Sequence, residues 1–174
     1  MIPRLVVLTG YPCAGKSRFS EYFRNQGYVK ISTDDIRESF LGCEDRETYQ
    51  KDQNIKEKES LVWQVVGDAK YRALSLGFNV IIDSTAMNRE ARKQLLHTMI
   101  PEGEVEKHLV YVHTLRSVLE ERAAIKYEKP DLEYWDKHWQ APGRGAGYSF
   151  HILFNNTEED YQFAIENLET ALKR

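Results

Sequence analysis

Cysteine is scarce: the 174 residues include only Cys13 and Cys43. Two cysteines thirty residues apart form neither a disulfide framework nor a zinc site. The five histidines are scattered and none stands at metal-ligand spacing from another. No apolar run approaches the ~20 residues of a membrane-spanning helix. The run after Arg4 ends at Gly10. It is too short and wrongly flanked for a signal peptide, so a cytoplasmic protein is expected. Neither sign of charge dominates, with 24 Lys and Arg against 27 Asp and Glu and a net charge of −3. That balance supplies no global attraction for nucleic acid or a membrane surface, so a nucleic-acid partner would need a local patch. Internal repeats, low-complexity tracts and linkers are also missing, and the length suits one domain over 1–174.

What is present is an alternation of short β-like runs and helical stretches. Leu5, Val6, Val7 and Leu8 form a continuous apolar run, the pattern of a strand buried on both faces. A helix is expected over 17–26, with Phe19, Tyr22 and Phe23 on one face and Gly27 as its stop. A second strand follows over 28–31, and Ser32 and Thr33 are good caps for a helix opening at Asp34. The longest helix is expected over about 47–76. Val62, Val66, Ala69, Ala73 and Leu76 point inward in its second half, and its first half is polar. Further strands are expected over 78–82, 108–113 and 150–154. Helices are expected over 88–99, 115–127, 132–139 and from Thr157, where Thr157 and Asp160 resemble a capping box and Tyr161, Ile165, Leu168 and Leu172 face inward. Strands separated by helices imply an α/β fold with a parallel sheet and right-handed crossovers. The charged, then Gly- and Pro-rich stretch 126–149 reads as a flap or lid, placed at about 116–147.

Gly10-Tyr11-Pro12-Cys13-Ala14-Gly15-Lys16-Ser17 fits G-x-x-x-x-G-K-[ST] without a mismatch. It follows a strand and opens a helix, the context that confirms the motif. Glycines let successive backbone N–H groups of the Gly10, Cys13, Ala14 and Gly15 loop face inward as an anion nest. The helix N-terminus adds its dipole. Lys16 can reach β- and γ-phosphates, and Ser17 can ligate the Mg2+ that bridges them, so ATP and magnesium are the expected cofactors. Cys13 is read as a small filler of a variable position.

The remaining sequence separates the users of such a loop. No [NT]-K-x-D segment is present, so a G-protein is disfavoured. Asp83 ends an apolar strand and can bind magnesium, but Ser84 follows it, not the Glu that often polarises water in ATP hydrolases. These absences favour transfer to an organic hydroxyl. Ile31-Ser32-Thr33-Asp34-Asp35-Ile36-Arg37 follows the second strand. A carboxylate there, Asp34 or Asp35, can take the acceptor's proton. Arg37, on the same helical face as Asp34, can hold an acceptor phosphate or the transferring group.

The segments GYPCAGKS, ISTDDIR and IIDSTAMNREAR resemble the polynucleotide-kinase-like branch of the P-loop kinases. AAA family ATPases, zeta-toxin-like kinases and phosphoseryl-tRNA kinases are its relatives. The resemblance covers nearly the whole chain in order of elements. It implies a P-loop NTPase three-layer sandwich, a five-stranded parallel sheet flanked by helices, with a lid. By position it makes Asp34 the general base and Arg37 the contact to an acceptor phosphate. The family's D-x-T-N-x-N segment is here Asp83-Ser84-Thr85-Ala86-Met87-Asn88, so Thr85, Asn88 and Arg89 become acceptor contacts while Ala86 replaces an Asn. Arg92 reads as part of a solvated helix face. Arg122 matches an ATP-clamping lid arginine, and Lys126 stands where a second is often found, with Arg116 and Arg144 as alternatives. Asn155, Asn156 and Thr157 lie where related kinases often touch adenine.

The acceptor is the least legible part. Stretch 114–147 has six basic and six acidic residues, and 44–59 has four against six. Neither is a basic path. Trp135 and Trp139 share a helical stripe that suits either core packing or base stacking. The first expectation is an ATP-dependent kinase of a nucleic-acid or nucleotide-like 5′-OH. The alternatives are a kinase of a small or tRNA-borne hydroxyl, and a module that binds ATP without transfer.

Overall fold

Successive residues of the strand that opens the chain point into two different cores. In a computed structural model, which describes residues 2–41, 53–126 and 132–172, β1 spans Arg4–Thr9. Val6 and Leu8 face one cluster, while Leu5 and Val7 face the other. All four side chains are fully buried, at about 1.5–3 kcal/mol of hydrophobic stabilisation each. A strand covered on both faces belongs inside a parallel sheet. The sheet is five-stranded and wholly parallel, in the order β2-β3-β1-β4-β5. Its other strands are β2 (Val29–Ser32), β3 (Val80–Asp83), β4 (Glu106–His113) and β5 (Ser149–Phe154).

Helix α1 (Lys16–Asn25) lies on the Val6 and Leu8 face and buries Phe19 and Phe23. Gly27, at φ 90°, ends it. Its N–H donates to Arg24 O and that of Tyr28 to Phe23 O, satisfying carbonyls the helix leaves open. The same face is covered by α5 (Arg116–Lys126), α6 (Leu132–His138) and α7 (Glu158–Leu172), which seats Tyr161, Ile165, Leu168 and Leu172 in the core as its spacing predicts. Thr157 Oγ1 caps α7 by accepting from Asp160 N at 3.1 Å. Asp160 in turn accepts from Asn156 N at 3.0 Å, one residue earlier than a standard capping box.

The opposite face carries α3 (Ile55–Ser75) and α4 (Arg89–His97), with α2 (Thr33–Leu41) following β2. Val62, Val66 and Ala73 are buried as expected. Leu76 is not: the helix ends at Ser75, and Leu76 is its exposed C-cap. The third strand starts two residues later than expected, leaving Phe78 half-exposed. The expected helix over 47–52 and the end of the helix at Tyr127 lie outside the described residues, as does 127–131 of the expected lid. Lys70 is a charged residue at a core position, 2% exposed, with Nζ donating to Leu95 O (2.8 Å) and Thr98 O (2.5 Å). Burial pulls its ammonium down to about 8 and the carbonyls at the end of α4 are satisfied.

Candidate active site

Every predicted site motif leaves the carboxyl end of a strand, where open α/β sheets bind ligands. The loop 10–15 joins β1 to α1. Gly15 adopts φ 94°, and a Cβ there would run into the Asn155 amide. Only glycine fits both conditions. Asn155 is itself buried after β5 and donates from Nδ2 to Ala14 O at 2.7 Å, bracing the loop from behind. Thr114 Oγ1 donates to the same carbonyl at 3.2 Å. At the other end Gly10 N donates to Thr85 O at 3.4 Å, and Thr9 Oγ1 lies 2.9 Å from the same oxygen. Cys13 sits in the loop at φ 64°. Burial pushes its thiol up, and the nearby Lys126, Lys16 and Arg122 only partly offset this.

Lys16 is the buried cation of the site. Its Nζ donates to Gly10 O (3.0 Å) and Tyr11 O (2.8 Å), which folds the side chain back over its own loop. Burial lowers its ammonium from the ordinary value, and the charges of Asp83 and Asp34 act in the opposite direction. The two strand-end acids therefore share the electrostatic field of Lys16.

Asp83 is buried at the end of β3. Ser20 Oγ lies 3.1 Å from Asp83 Oδ2 and 3.0 Å from Ser17 O, so it can donate to either. Ser17 is exposed in the first turn of α1. A hydroxyl, a carboxylate and open solvent are the donor set of a hard cation that keeps several waters, as Mg2+ does. The residues present thus fit magnesium. Among the described residues no group of three or more His, Cys, Asp or Glu could hold a metal by itself.

Asp34 and Asp35 open α2, with Ser32 Oγ capping it by accepting from Asp35 N at 3.1 Å. Both carboxylates are exposed. Arg37 binds Asp34 Oδ1 through Nη1 at 2.8 Å, as the three-residue spacing predicts. It also makes a two-pronged contact with Glu59 of α3, Nε to Oε1 at 2.6 Å and Nη2 to Oε2 at 3.2 Å. Its carbon Cζ lies 5.9 Å from the Trp63 ring centroid. Burial alone would lower the guanidinium, but Glu59 and then Asp34 raise it. Neither Glu59 nor Trp63 was legible as a site neighbour, because both approach from a helix more than twenty residues away.

The segment after β3 is fixed by backbone contacts. Ala86 takes a left-handed conformation, φ 42°. Thr85 offers its carbonyl to the phosphate loop. Asn88 caps α4, its Oδ1 accepting from Ala91 N at 2.8 Å. Arg89 is exposed, and its N–H donates to Gln140 Oε1 at 2.9 Å. Arg92 corrects the expectation of a solvated face. It is 5% exposed and donates to Ala86 O at 2.9 Å and, at 3.5 Å, to Ala141 O. Burial holds it below its ordinary value. With the bond from Gln140 N to Met87 O at 2.9 Å, it ties the stretch 140–141 to the loop after β3.

On the other side of the phosphate loop, Arg122 Nη2 donates to Asn156 O at 3.4 Å, and its Nη1 would lie 3.9 Å from a Cβ on Gly15. Lys126, one turn on, is near enough to act on Lys16 and Cys13. Arg122 therefore projects from α5 toward the loop, and Lys126 lies on the same helix with its charge felt there. Arg116 is engaged elsewhere, by Glu120 (2.7 Å) and Asp136 (2.9 Å). Arg144 is exposed. Tyr11 OH donates to Asp136 Oδ1 at 3.0 Å, and burial together with that bond pushes its hydroxyl up to about 12. No helix of the described residues is long and apolar enough to cross a membrane.

Comparison with known proteins agrees with this architecture. A family model described as "AAA domain" matches residues 5–141, more than three quarters of the chain. A sugar kinase from Janibacter sp. HTCC2649 superposes with a TM-score of 0.66 at 16% identity, covering 97% of this chain and 95% of that one. A Chloroflexus aurantiacus protein classed with the kinases gives a TM-score of 0.73 at 20% identity, covering 98% and 96%. A chain of the Pnkp1/Rnl/Hen1 RNA repair complex gives 0.61 at 22% identity, covering 79% of this chain and 43% of that one. The protein described here belongs to the AAA-domain family and has the fold of the P-loop kinases.

Proposed function

We propose that this protein transfers the γ-phosphate of ATP to an acceptor hydroxyl, foremost the 5′-OH of a nucleic-acid end or nucleoside-like molecule. The observation that carries the reading is the meeting of Lys16, Asp83 and Asp34 in one electrostatic neighbourhood at three adjacent strand ends. Lys16, released from Gly10 O and Tyr11 O, has a buried ammonium to offer the β- and γ-phosphates. Backbone N–H groups of 13–17 cradle the phosphates. Ser17 and Asp83 would hold magnesium, which neutralises phosphate charge when bound. Asp34 takes the proton of the acceptor hydroxyl. The hydroxyl oxygen bonds to the γ-phosphorus as the bond to the β,γ-bridging oxygen breaks, releasing ADP and a phosphate monoester. Arg122 and Lys126 cover the transferring group from α5, and a lid at 116–147 excludes water.

A second reading, a small polyol acceptor, is favoured by one observation: Arg37 is already occupied by Glu59 and Asp34, which lessens its call for an acceptor phosphate. The sugar-kinase neighbour has the same fold. Labelled ATP offered with 5′-OH oligonucleotides, tRNA and polyols tests both readings. Label on an oligonucleotide 5′ end supports the first, label on polyols alone supports the second, and label on none contradicts both.

A further inference from the structure

We propose that the cavity beside Tyr11 is a subsite for the terminal base of the acceptor. The proposal rests on the 5′-OH kinase reading above. The cavity has a volume of about 490 Å³ and opens at the carboxyl ends of β1 and β4, within the range of small-ligand sites. Its lining includes the aromatic rings of Tyr11 and Tyr111, the apolar Leu119 and the polar pair Arg116 and Asp136.

Three features suit a flat heterocycle. First, the aromatic lining is rigid. Trp139 packs against both tyrosines, with ring centroids 4.8 Å from Tyr11 and 5.8 Å from Tyr111. The Tyr11 hydroxyl is anchored to Asp136 at 3.0 Å. A base stacks on such a face whatever its identity. Second, the polar pair offers both kinds of hydrogen bond. Asp136 accepts and Arg116 donates, and their mutual contact at 2.9 Å holds them side by side. Base edges present donors and acceptors in the same way.

Third, the position is right for an acceptor. Tyr11 belongs to the phosphate loop, and its carbonyl is 2.8 Å from Lys16 Nζ. In the order β2-β3-β1-β4-β5, the strand that leads to Tyr11, at the near edge of the cavity, is two places from β2, which leads to Asp34, and β4, which carries Tyr111, is three. Two strand spacings are about 10 Å, which a nucleoside can bridge from its 5′-OH to its base. The donor's own base is expected elsewhere, near Asn156, which follows β5 on the far side of β4.

The test compares two oligonucleotides that differ only in the 5′-terminal residue: one carries a base, and the other is abasic with its 5′-OH intact. Wild type should use the base-bearing one with a kcat/KM about 5- to 150-fold higher, the range of one stacked base. Tyr111→Leu should shrink that gap to within about 3-fold while the KM for ATP is unchanged, and Tyr111→Phe should keep the gap. Equal use of both acceptors by wild type overturns the proposal. So does a raised KM for ATP in Tyr111→Leu with the acceptor gap intact, which would give the cavity to the donor's base. If neither oligonucleotide is phosphorylated, the 5′-OH kinase reading falls, and calorimetric titration with the same pair decides the subsite. Tighter binding of the base-bearing oligonucleotide, lost in Tyr111→Leu and kept in Tyr111→Phe, sustains it; equal binding overturns it.

Discussion

The guanidinium of Arg37 is gripped by both carboxylate oxygens of Glu59, at 2.6 and 3.2 Å, across the gap between α2 and α3. Its third contact is Asp34 Oδ1 at 2.8 Å. One arginine thus connects the proposed base to a helix distant in sequence. Glu59→Gln keeps one acceptor oxygen but removes the charge. The expected result is a kcat/KM for the acceptor roughly 5- to 30-fold lower, the cost of weakening a charge-assisted bond, at unchanged KM for ATP. Arg37→Lys should behave worse than Glu59→Gln, because a single ammonium cannot satisfy both carboxylates at once. Steady-state kinetics with each substrate varied in turn checks both.

Asp34 and Asp35 are adjacent and both exposed, but Asp34 is the one bonded to Arg37. Asp34→Asn should lower turnover by about 10²–10⁴, the usual contribution of a positioned general base, and leave ATP affinity nearly unchanged. Asp35→Asn should cost much less. A larger loss at Asp35 would reassign the base.

Arg92 is buried and donates to two backbone carbonyls, Ala86 O and Ala141 O. Arg92→Met fills much of the space but leaves both oxygens without their donor. A loss of roughly 1–3 kcal/mol in stability is expected, measured by urea unfolding. Because the tie also holds the loop after β3, the acceptor KM should rise as well. An unchanged urea midpoint would mean that the carbonyls find water.

The pair His108 and His151 makes stability depend on pH. Nδ1 of His108 lies 3.1 Å from Nε2 of His151, so one ring must donate and the other accept. Burial, then the His151 charge, pull His108 down from 6.5 to about 4; Arg4 acts the same way and Glu106 opposes. Burial lowers His151 too. A folded-state value below the unfolded one means the unfolded chain binds more protons in that interval. Stability is therefore full above about pH 6.5 and falls as pH drops toward 4, by an amount on the order of 2–3 kcal/mol. Melting curves between pH 7 and 4.5 should show the decline, and His108→Leu should flatten it. A wild-type melting temperature constant over that range contradicts this account.

Legibility in the sequence followed a physical rule. The five parallel strands and the phosphate loop could be anticipated because continuous apolar runs such as 5–8 and the GxxxxGKS spacing are local signals. Glu59 and Gln140 reach the site over more than twenty residues, as does the brace from Asn155, which the resemblance placed beside the adenine, and no local pattern announces such contacts. Arg92 and Lys70 were obscured for another reason. Each occupies a core-facing helical position with a charged head satisfied by carbonyls, and composition alone reads a charged residue as surface. Leu76 erred in the opposite direction, since the three-residue spacing continues one step past the point where Gly77 stops the helix. Within the site, the order of residues along the chain was enough to place Lys16, Asp34 and Asp83 at or just beyond strand ends and Arg122 on the helix after β4. It was not enough to show that Arg37 is held from behind by an acid.

Transfer of label from γ-labelled ATP to a 5′-OH oligonucleotide, by wild type, Lys16→Ala and Asp34→Asn, tests the central claim most directly. The account predicts labelled 5′ ends with wild type, none above background with Lys16→Ala, and about 10²–10⁴-fold slower labelling with Asp34→Asn. Labelling by Lys16→Ala at near wild-type rates, or no labelled acceptor of any kind with wild type, would contradict it.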